Sequence, residues 1–226
     1  DLLPDLQKHQ KAYIQSIREG NYQPAPILGI EIPKSNEKTR LLGVPTVVDR
    51  VFQQAIQQVL QPIFEQDFQT HSYGFRPKRN AHQAMQQSLA NINQGYQYIV
   101  DIDLESFFDN VEHYILLELL YKRVKCVYVL KLIRQFLRAP IQINGKLHKR
   151  RKGVPQGSPL SPLLSNILLN ELDKQLEQRG LRYVRYADDF SIYVKSSESA
   201  KRVGNNIYKY LRDELKLPIN RSKSKV

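Results

Sequence analysis

Two adjacent aspartates at the turn of a predicted hairpin constrain this chain more than any other feature of its sequence. Asp188 and Asp189 follow Tyr186 and Ala187, between two apolar, β-rich runs at residues 181–185 and 190–194. Such runs predict the two strands of a β-hairpin, with the small and acidic residues at the tight connection. Carboxylates held this close repel by about 1 kcal/mol in bulk water and by several times more at a lower effective dielectric. The pair indicates either a solvated acidic turn or a site for a divalent cation.

A second acidic cluster favours the cation site. Residues 98–104 form a strand-like run in which Asp101 and Asp103 are two positions apart, so their side chains share one face. Capping of the following turn, or pairing with one of the many arginines, would also explain these two residues. Carboxylates at the ends of strands in two separate segments are, however, what a two-metal phosphoryl-transfer site requires, with two Mg²⁺ ions about 4 Å apart.

The charge distribution indicates a polyanionic partner. The formal net charge is +12, and residues 121–170 contain no Asp or Glu. The basic residues of this tract are Lys122, Arg123, Lys125, Lys131, Arg134, Arg138, Lys146, Lys149, Arg150, Arg151 and Lys152. A charge run is usually a solvated face, but one-signed charge over fifty residues opposes compactness unless a polyanion is bound. Nucleic acid is favoured over an anionic membrane, because no segment combines this charge with an amphipathic membrane-surface pattern, and no apolar run is long enough to span a bilayer.

Three further segments could contact a nucleic acid or a nucleotide. Residues 71–82 mix aromatic residues with three cations, which suits stacking on bases and pairing with phosphates; two histidines there lack further metal ligands at a suitable spacing. A predicted hairpin over residues 27–44 carries Lys34 and Arg40 near its tip, where they would reach over a cleft or lie in an ordinary exposed turn. Residues 153–162 contain two glycines and three prolines, which favours close backbone approach to a nucleotide, a loop at a helix start, or both.

The periodicity predicts an α+β fold, with helices around a small, mainly antiparallel sheet that brings Asp103 and Asp188 together. Helices are predicted over residues 5–19, 46–62, 80–92, 111–121, 126–137, 163–179 and 199–215, with Pro62 kinking or ending the second of them. Thr46, with Asp49 in a capping-box-like position, is expected to begin the second helix, Asn80 to cap the third, and Gly180 to end the sixth. Strands are predicted over residues 27–32, 39–44, 98–104, 140–143, 146–150, 181–185 and 190–194, with a hairpin turn at residues 144–145. The single cysteine, Cys126, excludes an internal disulfide and fits a reducing compartment. The acidic start, without a signal pattern or an initiator Met, suggests an excised fragment of an intracellular protein.

Taken in order, these segments resemble the reverse transcriptase domain of group II intron-encoded proteins (maturases). Residues 32–50 resemble the fingers motif of that family, and residues 61–65 with 72–77 resemble the insertion that marks it among reverse transcriptases. Residues 101–109 match palm motif A, 155–162 match motif B, and 186–189 match motif C. The resemblance implies a right-hand polymerase with a small antiparallel palm sheet flanked by helices. It also implies fingers at 1–97 and 112–152, palm at 98–111 and 153–226, and no thumb within the chain.

The resemblance also implies roles for individual residues. Asp103, Asp188 and Asp189, with the backbone carbonyl of Leu104, would hold two Mg²⁺ ions, with Mn²⁺ as an alternative. Phe108 would be the steric gate under the sugar, in preference to Phe107. The dNTP-binding residues would be Lys34 and Arg40 on the triphosphate, Phe108 at the sugar, Gln156 and Gly157 at the nascent base pair, and Lys223 as proton donor to the pyrophosphate. Nucleic-acid contacts are expected from Tyr73, Arg76, Lys78, Arg79, Lys149, Arg150, Arg151 and Lys152.

The implied activity is RNA-directed DNA synthesis, in which a primer 3′-hydroxyl attacks the α-phosphate of a dNTP. The expected partners are intron RNA, an RNA template, a DNA primer and dNTP, with no membrane, in a prokaryotic cytoplasm; the oligomeric state, including a dimer, is left open. The alternative is an RNA-binding maturase fragment that assists intron splicing without polymerase activity of its own. A third option, an RNA-dependent RNA polymerase, is disfavoured by Phe108.

Overall fold

The computed structural model describes residues 2–33 and 39–225 and has the predicted α+β class. Its helices are α1 (Leu2–Arg18), α2 (Val47–Glu65), α3 (Ala81–Asn93), α4 (Phe107–Asn110), α5 (His113–Arg123), α6 (Val127–Arg138), α7 (Ser161–Gln178) and α8 (Ser197–Asp213). Its strands are β1 (Ile27–Pro33), β2 (Thr39–Val44), β3 (Tyr98–Ile102), β4 (Ile141–Ile143), β5 (Lys146–His148), β6 (Arg182–Tyr186) and β7 (Asp189–Val194). The chain divides into two compact units, and each is described by itself.

The first unit, Asp1–Gln61 and Glu112–Ser161, contains a four-stranded sheet in the order β2-β1-β4-β5. Both hairpins, β1-β2 and β4-β5, are antiparallel, as the sequence predicts. The turn of the second hairpin has positive φ at Asn144 (49°) and Gly145 (78°), which is the backbone of a two-residue type I′ connection. The parallel pairing of β1 with β4, from Ile27 opposite Ile141, joins the hairpins into one sheet and was not predicted.

An aromatic cluster and a buried carboxylate hold this unit together. The rings of Tyr13, Tyr22 and Phe52 meet edge to face, with centroids 5.2–6.5 Å apart. Asp49 accepts hydrogen bonds from the Tyr22 hydroxyl (2.7 Å) and the Thr46 hydroxyl (2.7 Å), and Thr46 Oγ1 accepts one from the Asp49 amide. The predicted capping of α2 by Thr46 is therefore confirmed, and its partner Asp49 also anchors the aromatic cluster.

The second unit, Pro62–Val111 and Pro162–Val226, contains an antiparallel three-stranded sheet in the order β3-β7-β6. Val100, Ile102, Phe190 and Ile192 are buried on one face of it. Helix α8 lies against β3 and β7, and α3 lies against β6. This is the small antiparallel sheet that the hairpin and the acidic strand predict.

Two helix ends follow the local sequence signals, whereas the helix α4 was not predicted. Asn80 and Gln83 form a reciprocal capping box at the start of α3, and Gly180 (φ 63°) follows the end of α7, both as predicted. Of the two outcomes expected at Pro62, a kink or an end of the helix, the end is excluded, because α2 continues to Glu65. Burial of Leu60 and Phe64 on either side of Pro62 offsets the hydrogen bond that the proline lacks. Among the residues that the structure describes, no helix is long and apolar enough to cross a bilayer.

Candidate active site

The register of the three-stranded sheet aligns the two acidic segments. Asp101 on β3 is paired with Ser191 on β7, and Ile102 with Phe190, so one further step places Asp103 opposite Asp189. Residues directly opposite on antiparallel strands have Cβ atoms about 4.5–5.5 Å apart. Because side chains alternate along a strand, Asp101, Asp103 and Asp189 project from the same face.

Asp188 enters this site from a two-residue turn. Tyr186 and Asp189 are the last pair of the β6-β7 hairpin, which leaves Ala187 and Asp188 as its connection. Ala187 has φ 59°, a left-handed conformation that costs a residue with a Cβ atom about 1–2 kcal/mol. Local preference alone therefore does not hold the turn that carries Asp188.

The electrostatics of the site are those of crowded carboxylates. Partial burial of its carboxyl group, and then the charges of Asp188, Asp103 and Asp101, raise the pKa of Asp189 above its usual range. A cation would relieve this repulsion, and carboxylate oxygens are the hard ligands that Mg²⁺ prefers. The donor chemistry therefore fits a divalent cation, although within residues 2–33 and 39–225 no three acidic, histidine or cysteine side chains are already arranged as a ligand set.

Two aromatic residues follow Asp103 with different burial. Phe107 is buried (2% exposed), whereas Phe108 is only partly buried, and their ring centroids are 5.2 Å apart. Of the two, Phe108 has the side chain that a bound sugar could reach. On either side of Leu104, the Asp103 carbonyl accepts a hydrogen bond from the Asn220 amide, and the Glu105 amide donates one to the Pro218 carbonyl. These two backbone bonds do not use the Leu104 carbonyl.

The candidate dNTP residues of the first unit lie on β2 and the loop before α7. Arg40 is exposed on β2, while Lys34 lies outside the described residues. The Gln156 carbonyl accepts a 2.7 Å hydrogen bond from the Gly43 amide. A Cβ atom on Gly157 would lie 2.9 Å from the Gly43 carbonyl, and its φ is 115°, so this position requires glycine. The loop is thus fixed against β2 with the Gly157 backbone exposed.

Lys223 lies in the turn that returns the chain to β3. Its amide donates to the Asn220 carbonyl, and its side chain is exposed. Beyond it, Lys225 and Asp101 exchange two backbone hydrogen bonds of 2.9 Å, so this segment pairs with the outer edge of β3. Lys223 therefore belongs to the same unit as the carboxylates.

The predicted nucleic-acid contacts divide by exposure. Lys78, Lys149, Arg151 and Lys152 are exposed, and Arg79 and Arg150 are partly buried. The expectation for Tyr73 and Arg76 is corrected, because both are only 8% exposed. Tyr73 packs in a core cluster. Arg76 is bound to Glu65 (2.7 Å) and to the carbonyls of Gln69 and Ser72, so its charge supports the loop.

Sequence reasoning missed a buried ion pair directly behind the acidic turn. Arg185 and Asp173 have fully buried side chains that meet at 2.6 Å, and Asn166 is buried beside them. The available signals were two arginines within the apolar strand 181–185 and an aspartate inside the apolar helix 163–179. Charged residues are almost never fully buried unless they are paired, so an arginine that faces the core from this strand requires an acidic partner.

Comparisons with known proteins show what the chain is similar to. Residues 32–226 match the family described as reverse transcriptase (RNA-dependent DNA polymerase). Protein YkfC of Escherichia coli is 32% identical over 98% of this chain and 69% of its own length. The group II intron-encoded protein LtrA of Lactococcus lactis is 36% identical over 90% of this chain but only 34% of its own length, so the chain spans about a third of that relative.

Solved structures share the fold. Telomerase from Candida tropicalis, in complex with a fragment of telomeric RNA, superposes with a TM-score of 0.71 at 17% identity, over 97% of this chain and 44% of the telomerase chain. A partial Cas6-RT-Cas1–Cas2 complex superposes with a TM-score of 0.52 at 27% identity, over 92% of this chain and 37% of that one. The fingers-palm fold is therefore confirmed.

Proposed function

Because the chain belongs to the reverse transcriptase (RNA-dependent DNA polymerase) family and its relatives include group II intron-encoded proteins, we propose that it catalyses RNA-templated DNA synthesis. The primer 3′-hydroxyl attacks the α-phosphate of a dNTP, a new phosphodiester bond forms, and pyrophosphate leaves. The observation that supports this most is the β3-β7 register, in which Ile102 is paired with Phe190, so that Asp103 and Asp189 are the next residues along the two strands, beside the Asp188 turn.

In this proposal Asp103, Asp188 and Asp189 would hold the metal ions, together with the Leu104 carbonyl. When bound, two Mg²⁺ ions would activate the attacking hydroxyl and stabilise the charge that develops on the leaving pyrophosphate. The raised pKa of Asp189 supports this assignment, since crowded carboxylates gain most from a bound cation.

The other candidate residues position the nucleotide. Phe108 packs under the sugar and disfavours a ribose 2′-hydroxyl, while Gln156 and Gly157 line the base pair. Arg40 and Lys34 bind the triphosphate, a task that suits the fork of Arg and the point charge of Lys. Lys223 donates a proton to the leaving pyrophosphate. The division into fingers (1–97, 112–152) and palm (98–111, 153–226), and a prokaryotic cytoplasmic location, belong to the same proposal.

The test is primer extension on an RNA template by the 226-residue chain, and by a version that carries a reverse transcriptase thumb after Val226. Each is compared with its Asp188→Ala variant in Mg²⁺ and in Mn²⁺. We expect DNA product that Asp188→Ala abolishes. Equal product from both proteins, or none from either form of the unmodified sequence, would refute polymerisation by this site.

RNA binding in support of splicing is the second candidate. It is favoured by the tract from Tyr121 to Asn170, which lacks acidic residues and exposes Lys149, Arg151 and Lys152. Relatives include the nuclear intron maturase 1 of Arabidopsis thaliana, which is 27% identical over 68% of this chain. Tight, salt-sensitive binding to one structured intron RNA that is unchanged by Asp188→Ala would support this role.

A further inference from the structure

A fully buried arginine lies directly behind the turn that carries Asp188, and the proposed chemistry does not use it. Arg185 Nε donates to Asp173 Oδ1 at 2.8 Å, and its Nη2 donates to Asp173 Oδ2 at 2.6 Å. A buried ion pair is weak evidence for stability in itself, because removing two charges from water costs about as much as their attraction returns. The remaining contacts of the guanidinium therefore matter more.

The third nitrogen of Arg185 reaches the turn. Its Nη1 donates to the Ala187 carbonyl at 2.8 Å and to Asn166 Oδ1 at 3.0 Å. The Ala187 carbonyl and the Asp188 amide belong to one planar peptide group. Fixing that carbonyl oxygen therefore fixes the plane that contains the Asp188 amide nitrogen and the Asp188 Cα atom, to which the side chain is attached.

The other side of the turn is also clamped. Asn166 Nδ2 donates to the Gly74 carbonyl at 2.9 Å, and Gly74 lies so close to Ala187 that a Cβ atom on it would be 2.2 Å from the Ala187 nitrogen. The Arg185 backbone is paired with residues 71–73, since its amide donates to the His71 carbonyl and its own carbonyl accepts from the Tyr73 amide. The turn is thus held between a guanidinium and a glycine backbone, and Asn166 links the two.

We propose that Arg185, oriented by Asp173 and Asn166, is a positioning residue that sets where the Asp188 carboxylate meets the metal ions. This rests on the proposed function, because it assigns Asp188 to a metal site. The network holds the left-handed conformation of Ala187, so its loss would leave the turn free to relax and the carboxylate free to move. Substitution of groups that orient metal ligands in this way typically lowers metal affinity or activity by about 10–100-fold.

The test uses Arg185→Lys and Asn166→Ala. Lysine keeps the charge beside Asp173, but its single ammonium cannot also reach the Ala187 carbonyl and Asn166 as the planar fork does. Asn166→Ala keeps the ion pair and removes the link to Gly74. Leu176→Ala is the control, because this fully buried leucine lies on the same helix and contributes stability without a hydrogen bond to the network.

The first readout is Mn²⁺ binding, measured by the free-ion EPR signal, and it does not depend on activity. We expect about 10-fold weaker binding in Arg185→Lys and Asn166→Ala, and unchanged binding in Leu176→Ala even where its thermal stability is equally reduced. In primer extension we expect kcat to fall by about 10–100-fold and the Mg²⁺ requirement to rise, with a dNTP KM near that of the unmodified chain.

Several results would overturn the inference. One is a folded Arg185→Lys variant with unchanged Mn²⁺ affinity and kcat. Another is failure of both variants to fold while Leu176→Ala folds, which would assign the network to stability alone. Mn²⁺ binding that Asp188→Ala does not weaken would refute the assignment of Asp188 to a metal site. If Mn²⁺ binds as expected but no DNA is made, the proposed polymerase activity is refuted. The positioning role of Arg185 is then still tested by the Mn²⁺ affinities of the variants.

Discussion

Gly74→Ala is the substitution that most directly tests how the acidic turn is supported. The added Cβ atom would lie 2.2 Å from the Ala187 nitrogen, 2.8 Å from its Cα and 3.0 Å from its Cβ. These are mostly backbone atoms, which cannot rotate away as a side chain can. The φ of Gly74 does not lie in the left-handed region, so the effect of the substitution is steric.

The size of the effect follows from the overlap. Non-bonded carbon atoms have their optimal separation at about 3.5–4.0 Å, so the Ala187 backbone would have to withdraw by about 1 Å or more. Forcing an extra carbon into a packed region typically costs about 1–3 kcal/mol of stability. A misplacement of about 1 Å at reacting groups can reduce the rate by about 100-fold. We therefore expect Gly74→Ala to lose about 100-fold in kcat with a moderate loss of stability.

The assay pairs steady-state primer extension with denaturant unfolding. Gly95→Ala is the matched control, because Gly95 has φ 89° and, apart from its chain neighbours, no described residue has an atom within 4 Å of the place that an added Cβ would take. It should lose about 1–2 kcal/mol through backbone strain alone and keep its kcat. A Gly74→Ala protein with the kcat of the unmodified chain would refute the close contact between residues 74 and 187. A similar loss of kcat in Gly95→Ala would attribute the effect to general instability.

Four further outcomes are expected. Phe108→Ala should increase ribonucleotide incorporation in primer extension, whereas Phe107→Ala should lower the unfolding free energy by about 3–5 kcal/mol, because that ring is 2% exposed. Burial, and to a smaller extent the nearby arginines, lowers the pKa of His113, whose Nε2 is 2.8 Å from the Gly153 carbonyl. Because the unfolded chain then takes up this proton at a higher pH than the folded chain, the free energy of unfolding should fall as the pH drops below about 6.5. His113→Gln should flatten that pH dependence in urea unfolding. Asn80→Ala should cost about 0.5–2 kcal/mol in the same assay, because it removes the capping box of α3.

Each of these has an outcome that would contradict it. Unchanged sugar selection in Phe108→Ala would move the gate elsewhere. Substitution of the exposed His148 serves as the control for His113, and an equal change in both pH profiles would exclude burial as the cause. Stability unchanged by Asn80→Ala would mean that tertiary packing of the helix, and not its cap, fixes the start of α3.

Features that depend on a few neighbouring residues could be predicted from the sequence. The Asn144–Gly145 turn, the Asn80 cap and the glycine after α7 each follow from local backbone preferences. The hairpin that carries Asp188 and Asp189 could be predicted, because apolar, β-rich runs lie on both sides of the two aspartates. Asp103 could be assigned to the same site for two reasons. It lies at the end of a predicted strand, and its segment occupies the place of palm motif A in the order of the family's motifs.

The failures arose where distant segments decide. Arg76 has the composition of a nucleic-acid contact, yet Glu65 and two carbonyls bind its charge within the loop. Pro62 has the sequence signature of a helix end, yet the burial of its neighbours keeps the last turn helical. The parallel pairing of β1 with β4 joins Ile27 to Ile141, a separation at which sequence pattern carries no register information.

Carboxylates at two strand ends, a basic tract and the order of the segments between them can all be identified in the amino-acid sequence. The contacts that hold those carboxylates in place form only in the folded chain. The Arg185 guanidinium, the Asn166 amide and the Gly74 backbone converge on one strained turn from segments up to about a hundred residues apart. Local preference opposes a left-handed alanine, so only contacts formed by the folded core can keep Ala187, and Asp188 with it, in place.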